Sequence, residues 1–359
     1  RDRDTPVYYT SLVGFRKVEI IDRQVCINGK PILFKGVNRH EHDMRTGHVV
    51  SEESMLQDIR LMKRNNINAV RTSHYPSDPR WYDLADEVGM YVVDEAFLDS
   101  GGTGFHPDST LAGKREWLPA HMDRLTRMIE RDKNHPSVIL WSLGSEAGDG
   151  PVFQIMYEWA GDRDPTRPVV YEMADLREHT DVIFPTSATV ESLESYAAGP
   201  RERPLVLSAY APAEADPESS LAAVWRTIRA HDQLQGGFFP GPELDARAPE
   251  VQKLYQPVGV TRAPGSASQL EVQNLYDFLD LSHLEMAWVL LRDGVEVASG
   301  RGPDLSDVEA QERRLVDLPA ASPGQGSGTR TRLRITFRLR RDMGVLPAGH
   351  VVGWEEFLW

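Results

Sequence analysis

The segment Val138-Ile139-Leu140-Trp141-Ser142-Leu143-Gly144-Ser145-Glu146-Ala147-Gly148-Asp149-Gly150 joins an apolar, β-branched run to a glycine-rich turn. Val138 to Trp141 reads as a buried strand, because a strand covered on both faces is a short continuous apolar run bounded by turn residues. Glu146 stands just past it. Gly144 and Gly148 on either side let the backbone turn sharply and admit close neighbours. Taken alone, Glu146 reads either as a cap for the next helix or as a catalytic acid at a barrel mouth. The flanking chain decides between them.

On both sides, strand-like runs alternate with amphipathic helices, the pattern of a parallel sheet with crossover helices. Strands are predicted at 32–37, 69–72, 91–94, 138–142, 169–172, 181–184, 204–209 and 236–239, and eight strands close a (β/α)8 barrel. Helices are predicted at 51–66, 79–88, 118–132, 153–162, 221–230 and 248–255, the sixth crossover being poorly marked. Ser51 is placed to cap the first, with Glu52 and Glu53 in its opening turn. Met55, Ile59 and Met62 share one face of it, so they belong to the core. Gly89 stops the second. Before the barrel, residues 1–30 hold strand-like pieces at 7–12 and 16–21 and a turn at Asn28-Gly29. After it, a Pro/Gly/Ser-rich stretch at 258–268 reads as a linker. Alternating strands at 270–276, 285–292 and 333–339 then predict a small β-sandwich over 269–359, with a loop at 321–328. The barrel itself is expected over 31–257.

The 359 residues carry a net charge of −14, which disfavours nucleic acid and anionic membrane as partners. The basic run 330–341 alternates charged with apolar residues and reads as a strand with one solvated face. Cys26 is the only cysteine, so neither an internal disulfide nor a thiolate metal cluster can form. With no signal-like or membrane-length apolar run, a cytoplasmic location is expected.

Polar residues gather where the predicted strands end. Asn38-Arg39-His40-Glu41-His42 follows the first, and Arg71-Thr72-Ser73-His74-Tyr75-Pro76 closes the second. Asp94-Glu95 and Asp99 follow the third, Ser145-Glu146 the fourth and Glu172 the fifth. Polar residues at one rim of a barrel mark a site rather than stability. His40, His42, His74 and Glu41 have the ligand types for a divalent ion, but a His-x-His at a strand exit also orients neighbouring carboxylates, and no metal is expected. No G-x-S-x-G elbow and no phosphate-binding glycine motif occurs. Retaining glycosidases set two carboxylates at such a rim, about 5–5.5 Å apart. Glu146 suits one; the seventh strand offers Ala209 for the other.

These motifs resemble the catalytic barrel and following β-domain of family 2 glycoside hydrolases, most of all the bacterial β-galactosidases. The matching stretches run in family order: Gly14-Phe15-Arg16, Gly36 to His42, Asn68 to Pro76, Asp94-Glu95-Ala96, Arg131 to Val138, Trp141 to Gly144, and Leu234-Gln235-Gly236-Gly237-Phe238. The resemblance implies a TIM barrel, with Glu146 as the acid/base. It also implies that Ser145 replaces an asparagine that holds the sugar 2-hydroxyl, and that Ser208-Ala209-Tyr210 replaces a Cys-Glu-Tyr whose Glu is the nucleophile. Phe97-Leu98-Asp99-Ser100-Gly101 keeps a shortened acid and loses the His of the family's magnesium site, so no cofactor is expected. Ser187 stands where the family has a catalytic tyrosine. The Trp-Asp-Trp segment becomes Phe239-Pro240-Gly241-Pro242, a sugar-binding loop before Ala248 is missing, and the N-terminal domains that help build the sugar pocket have no counterpart here.

Three readings stay open. A conventional β-galactosidase or other exo-glycosidase follows from the motifs, but lacks the nucleophile unless Glu172, Asp99, Glu214 or Asp216 substitutes. The preferred reading is a repurposed enzyme. In it Glu146, assisted by His40, His74 and Glu41, serves as general acid/base on a bulkier substrate, in dehydration, cyclisation or isomerisation. Phe97, Phe105, Phe238 and Phe239 are expected to make the mouth apolar, and Glu146, partly buried there, to be harder to ionise. The third is a non-catalytic relative that binds a sugar-like ligand or a protein. The expected substrate contacts are Asn38, Arg39, Tyr75, Asp99, Ser145, Glu172, Tyr210 and Phe238. A small-molecule substrate is the expected partner, a homo-oligomer is left open, and neither nucleic acid nor membrane is expected.

Overall fold

Helix α1 (Glu52–Arg64) starts as its sequence predicts: Ser51 Oγ accepts from the Ser54 amide at 3.2 Å, and Met55, Ile59 and Met62 are buried on one face. Helix α2 (Pro79–Val88) is capped by Asp78 and ends at Gly89, whose φ of 68° suits a residue without a Cβ. Both lie against a parallel sheet. The computed structural model describes residues 12–106, 108–200, 202–210, 220–241, 244–266, 269–317 and 331–358. The predicted loop at 321–328, most of the predicted strand at 7–12, and Glu214 and Asp216 lie outside the described residues.

A small antiparallel sheet comes first, from β1 (Val18–Ile21), β2 (Gln24–Ile27) and β3 (Lys30–Pro31). Seven parallel strands follow: β4 (Phe34–Arg39), β5 (Ala69–Thr72), β6 (Tyr91–Glu95), β7 (Val138–Ser142), β8 (Val169–Val170), β9 (Leu205–Leu207) and β10 (Leu234–Pro240). Their order is β8-β7-β6-β5-β4-β10-β9. The two ends meet through the sixth predicted strand, which is reduced to isolated bridges from Val182 to Val170 and from Ile183 to Leu205. The eight staves of the predicted barrel are thus present, one of them as bridges alone.

The helical layer holds α3 (Leu118–Asp132), α4 (Pro151–Arg163), α5 (Val190–Ala198), α6 (Leu221–Ala230) and α7 (Leu244–Leu254). After β8 there is only a short 3-10 turn, Glu172–Ala174. Helix α5, which the sequence marks poorly, follows the sixth stave.

Two apolar cores flank the sheet. Val37, Val70, Val92 and Trp141 face the helices, whereas Phe34, Val93, Ile139, Val206 and Phe238 fill the barrel. Val25, Ile27 and Ile32 belong to the inner core, so the N-terminal sheet closes the barrel bottom. Gln235 pins it there, accepting from the Val25 amide and donating to the Val25 and Ile32 carbonyls.

The linker expected at 258–268 is not one. β11 (Val258–Arg262) is a strand with Val258 and Val260 buried, paired antiparallel with β12 (Gln269–Asn274). The Pro264-Gly265-Ser266 signal belongs to the hairpin turn between them, where Gly265 has a φ of 76°. β11 and β12 form a three-stranded sheet with β15 (Arg313–Asp317). A second sheet runs β14 (Val295–Arg301), β13 (Leu284–Arg292), β16 (Thr331–Leu339), β17 (Val351–Leu358). One apolar core joins the two sheets, as the predicted sandwich requires. Strand β16 alternates buried apolar with exposed arginine positions. No helix among the described residues is long and apolar enough to cross a membrane.

Candidate functional site

Arg71 lies near the end of β5 and is 1% exposed. Its Nε donates to Glu95 Oε2 at 2.7 Å, Nη2 to Glu172 Oε2 at 3.2 Å and Nη1 to the Ser208 carbonyl at 3.1 Å. Burial works against its charge, but the Glu95 and Glu172 carboxylates outweigh that and hold it above its ordinary value. Burial likewise opposes ionisation of Glu95, yet Arg71 and His74 keep its carboxyl below the usual range. Glu95 is saturated: Oε1 meets His74 Nδ1 at 3.0 Å, and Oε2 also accepts from Ser142 Oγ at 2.8 Å. His40 packs edge-on to His74, ring centroids 5.4 Å apart. Partial desolvation first, then the neighbouring His74 and Arg71, hold His40 below the usual imidazole range.

Glu172 is buried and engaged at both oxygens. Oε1 accepts from Ser145 Oγ at 2.8 Å and from the Glu146 amide at 2.7 Å. Oε2 accepts from Arg71, from Thr186 Oγ1 at 3.1 Å and from Ser208 Oγ at 3.3 Å. A carboxylate with this many donors holds others in place. What it holds is Glu146, whose φ of 43° is a left-handed backbone that costs a non-glycine residue about 1–2 kcal/mol. The turn around Glu146 is fixed by close approach as well. A Cβ on Gly144 would sit 2.7 Å from the Leu98 carbonyl oxygen, and one on Gly148 would sit 2.1 Å from Thr110 Oγ1. Ser145 and Asp99 bridge the β7 and β6 exits.

Glu146 itself is exposed, so the expected desolvation of its carboxyl loses its premise. Oε2 looks onto Gly101, where an added Cβ would lie 3.2 Å away, with Phe105 beside it. Phe97 and Phe105 are exposed on this rim, but Phe238 and Phe239 are fully buried, so the expected apolar mouth is only half as apolar. Strand alternation sends Phe238 into the barrel and Phe239 towards the helices.

The structure gathers Glu146, Ser145, Glu172, His74, His40 and Asn38 around Arg71. Asn38 bridges strands, donating to the Ser208 carbonyl at 3.0 Å and accepting from Ser73 Oγ at 3.2 Å. Asp99 is at the rim, exposed, with Oδ1 accepting from the Gly101 amide at 3.3 Å. Other expected residues lie elsewhere. Glu41 is buried, accepts from the Asp78 amide and pairs with Arg39 at 3.2 Å. Arg39 also pairs with Asp58 and stacks on Trp81, so this pair ties β4 to α1 and α2. Tyr75 donates to the Glu41 carbonyl and packs against Phe97. Tyr210 is buried with Trp225, Phe239 and Tyr255, its hydroxyl on that of Tyr255, behind the barrel wall. Sequence reasoning placed Arg71 and Glu95 at the rim and Ser208 beside Ala209 without giving them a role, and passed over Thr186. Their signal was position at strand ends, which the hydroxyls share with ordinary turn residues.

The partner position is empty of acid. Ala209 bridges to Thr186 at the end of β9, next to Ser208. The magnesium ion implied by the resemblance does not fit either. Gly101 presents no side chain towards Glu146 Oε2, and no group of three or more His, Cys, Asp or Glu among the described residues is arranged to hold a metal.

Comparison with known proteins places these features in a lineage. A profile described as glycosyl hydrolases family 2, TIM barrel domain, matches residues 18–241, and one described as beta-galactosidase, domain 4, matches residues 270–359. Beta-galactosidase 2 of Enterobacter cloacae is 35% identical over 96% of this chain, and the beta-galactosidase of Psychromonas ingrahamii 36% over 96%. The chain spans only 38% of each of those relatives. A Faecalibacterium prausnitzii beta-glucuronidase structure superposes with a TM-score of 0.54 at 26% identity, over 64% of this chain and 46% of that one. A Bacteroides vulgatus beta-glycosidase shares the fold over 96% of this chain and 52% of its own, with a TM-score of 0.59 at 21% identity.

Proposed function

The chain belongs to glycosyl hydrolase family 2, and on that premise we propose that its barrel carries a one-carboxylate site. In this reading Glu146 is the general acid/base, and no covalent glycosyl–enzyme bond is formed. The observation that carries it is the division of labour among the carboxylates. Glu95 and Glu172 are buried and saturated by hydrogen bonds, Ala209 supplies none, and Glu146 is held in place by Glu172 and open to a substrate, with Asp99 another exposed acid at the rim.

Retaining glycoside hydrolysis needs a second carboxylate about 5–5.5 Å from the acid. A saturated Glu172 does not suit the nucleophile's part, since attack would break its bonds to Arg71 and to the Glu146 amide. What remains is proton transfer to a leaving or bridging oxygen, assisted by the His40–His74 pair. Dehydration, cyclisation, isomerisation, or glycosyl transfer to an external nucleophile fit that equipment. A β-galactoside-like ring is the first substrate class to try, given the beta-galactosidase relatives.

Azide tests the reading. With an aryl β-galactoside, azide attacks the anomeric carbon as the bond to the aryl oxygen breaks and Glu146 protonates that oxygen, giving the α-galactosyl azide. Azide is expected to raise turnover at least 100-fold, and Glu146→Gln to abolish that gain for a poor leaving group while sparing an activated one. Unaided hydrolysis that is insensitive to azide and lost in Glu146→Ala would instead return the chain to conventional galactosidases.

A further inference from the structure

Lys35 has no part in the site described above. It is the second residue of β4, at the strand's entry, whereas His40 follows the strand's exit; five residue steps along the strand separate them by roughly 16 Å. Phe34 and Gly36 face the barrel interior, so Lys35 points outward, under the loop that joins β12 to the second sheet of the sandwich. Lys35 is only 6% exposed, and Asp277 is the carboxylate that acts on its amine, without a direct hydrogen bond or ion pair between them. It lines a cavity of about 420 Å³ between barrel and sandwich, bounded by Lys63, Tyr91, Asp277, Leu279 and Val352.

A largely buried ammonium without a direct partner is costly, and the usual relief is loss of the proton. Burial lowers the Lys35 amine to about 8, against the opposing pull of Asp277. Burial raises the Asp277 carboxyl to about 6, against the pull of Lys35 and a backbone hydrogen bond from Leu33. An amine that is partly neutral near pH 8 and a carboxyl that can carry a proton near pH 6 thus share one largely apolar chamber. Desolvated lysines of this kind are the nucleophiles of Schiff-base chemistry. Lys63, the other lysine on the wall, is occupied by the Gly89 carbonyl at 2.9 Å.

We propose that the cavity between barrel and sandwich is a carbonyl-capturing site, in which Lys35 forms a Schiff base with small aliphatic aldehydes and Asp277 is the proton donor. The lone pair of the Lys35 amine attacks the aldehyde carbon, and a proton passes from nitrogen to oxygen to give the carbinolamine. Asp277 then donates a proton to the departing hydroxyl and recovers the remaining N–H proton. The imine and one water result, with no change of oxidation state. The apolar lining suits a short alkyl aldehyde better than a polyhydroxylated one.

The chain has seven lysines, which makes the test clean. The full chain is incubated with butanal and cyanoborohydride near pH 7.5, so that hydride reduces the imine to a stable secondary amine, and labelled peptides are mapped by mass. Lys35 is expected to take up label at least ten times faster than the mean of the other six lysines. Lys35→Arg is expected to remove that fast label, and Asp277→Asn to slow it at least five-fold. Label spread evenly over the seven lysines, or an unlabelled Lys35, overturns the proposal even if neither variant folds. An unchanged rate in a folded Asp277→Asn overturns the role given to Asp277.

Discussion

At the scale of single residues, Glu146 is a side chain placed by its neighbours. Glu172 reaches it only through the backbone, with Oε1 on the Glu146 amide and Oε2 in the Arg71 cluster. Replacing Glu172 by Gln turns one acceptor oxygen into a donor, and that donor must face either the Glu146 amide or the Arg71 guanidinium. The expected outcome is a loss of about 100-fold in azide-assisted turnover, the usual result of misplacing a catalytic group by an ångström. The aryl-group dependence should persist, because the acid itself remains. Arg71 is a different case. Removing its charge leaves Glu95 and Glu172 buried without a counter-ion, and breaking a buried pair costs about 3–5 kcal/mol. Arg71→Met is expected to lower unfolding stability by that amount, measured by urea titration.

At the scale of elements, the turn after β7 depends on two close contacts. An alanine at 148 would have to adopt a φ of 71° while its Cβ met Thr110 Oγ1 at 2.1 Å. Gly148→Ala is therefore expected to displace the turn and suppress Glu146-dependent turnover, whereas Ser51→Ala should cost about 1 kcal/mol of stability and leave turnover unchanged. The sequence was most legible at such local features. Ser51, Gly89 and the Val138 run each act through neighbours in the chain, so their helix, stop and strand could be read directly. It was least legible where tertiary partners decide. Glu41 looked like a rim acid until Arg39 and the Asp78 amide claimed it. Tyr210 and Phe239 look like mouth residues by position, but strand alternation turns them to the outer core. The Pro-Gly-Ser run at 264–266 signals a turn, and only the pairing of β11 with β12 reveals that the turn lies within the sandwich rather than before it.

At the scale of the whole molecule, one buried acid pair should leave its own mark on the response to pH. Asp94 is fully buried behind the site, and burial, then the nearby Asp132 charge, raises its carboxyl well above the usual value. A carboxyl raised in the folded state binds its proton more tightly there than in the unfolded chain. Its contribution is therefore present at low pH and is lost as pH rises above the ordinary carboxylate range. The folded Glu95 carboxyl is shifted the opposite way, so its contribution is present above that range and lost as pH falls below it. The Asp94 contribution is expected to decline as pH rises above the ordinary carboxylate range, while His40, held below the usual imidazole range in the folded chain, contributes in the opposite sense. Asp94→Asn keeps an acceptor for the Tyr82 hydroxyl, which lies 2.6 Å away, and should flatten that decline.

The central claim, an acid without a covalent partner, is tested most directly by a mechanism-based trap. The chain is incubated with an activated 2-deoxy-2-fluoro-β-galactoside, which leaves a long-lived glycosyl ester on any enzymic nucleophile, and the intact mass is measured. The account predicts an unchanged mass for the wild-type chain and one added fluorogalactosyl group for Ala209→Glu. A wild-type chain that gains the group, on Glu172, Asp99 or any other carboxylate, would contradict it.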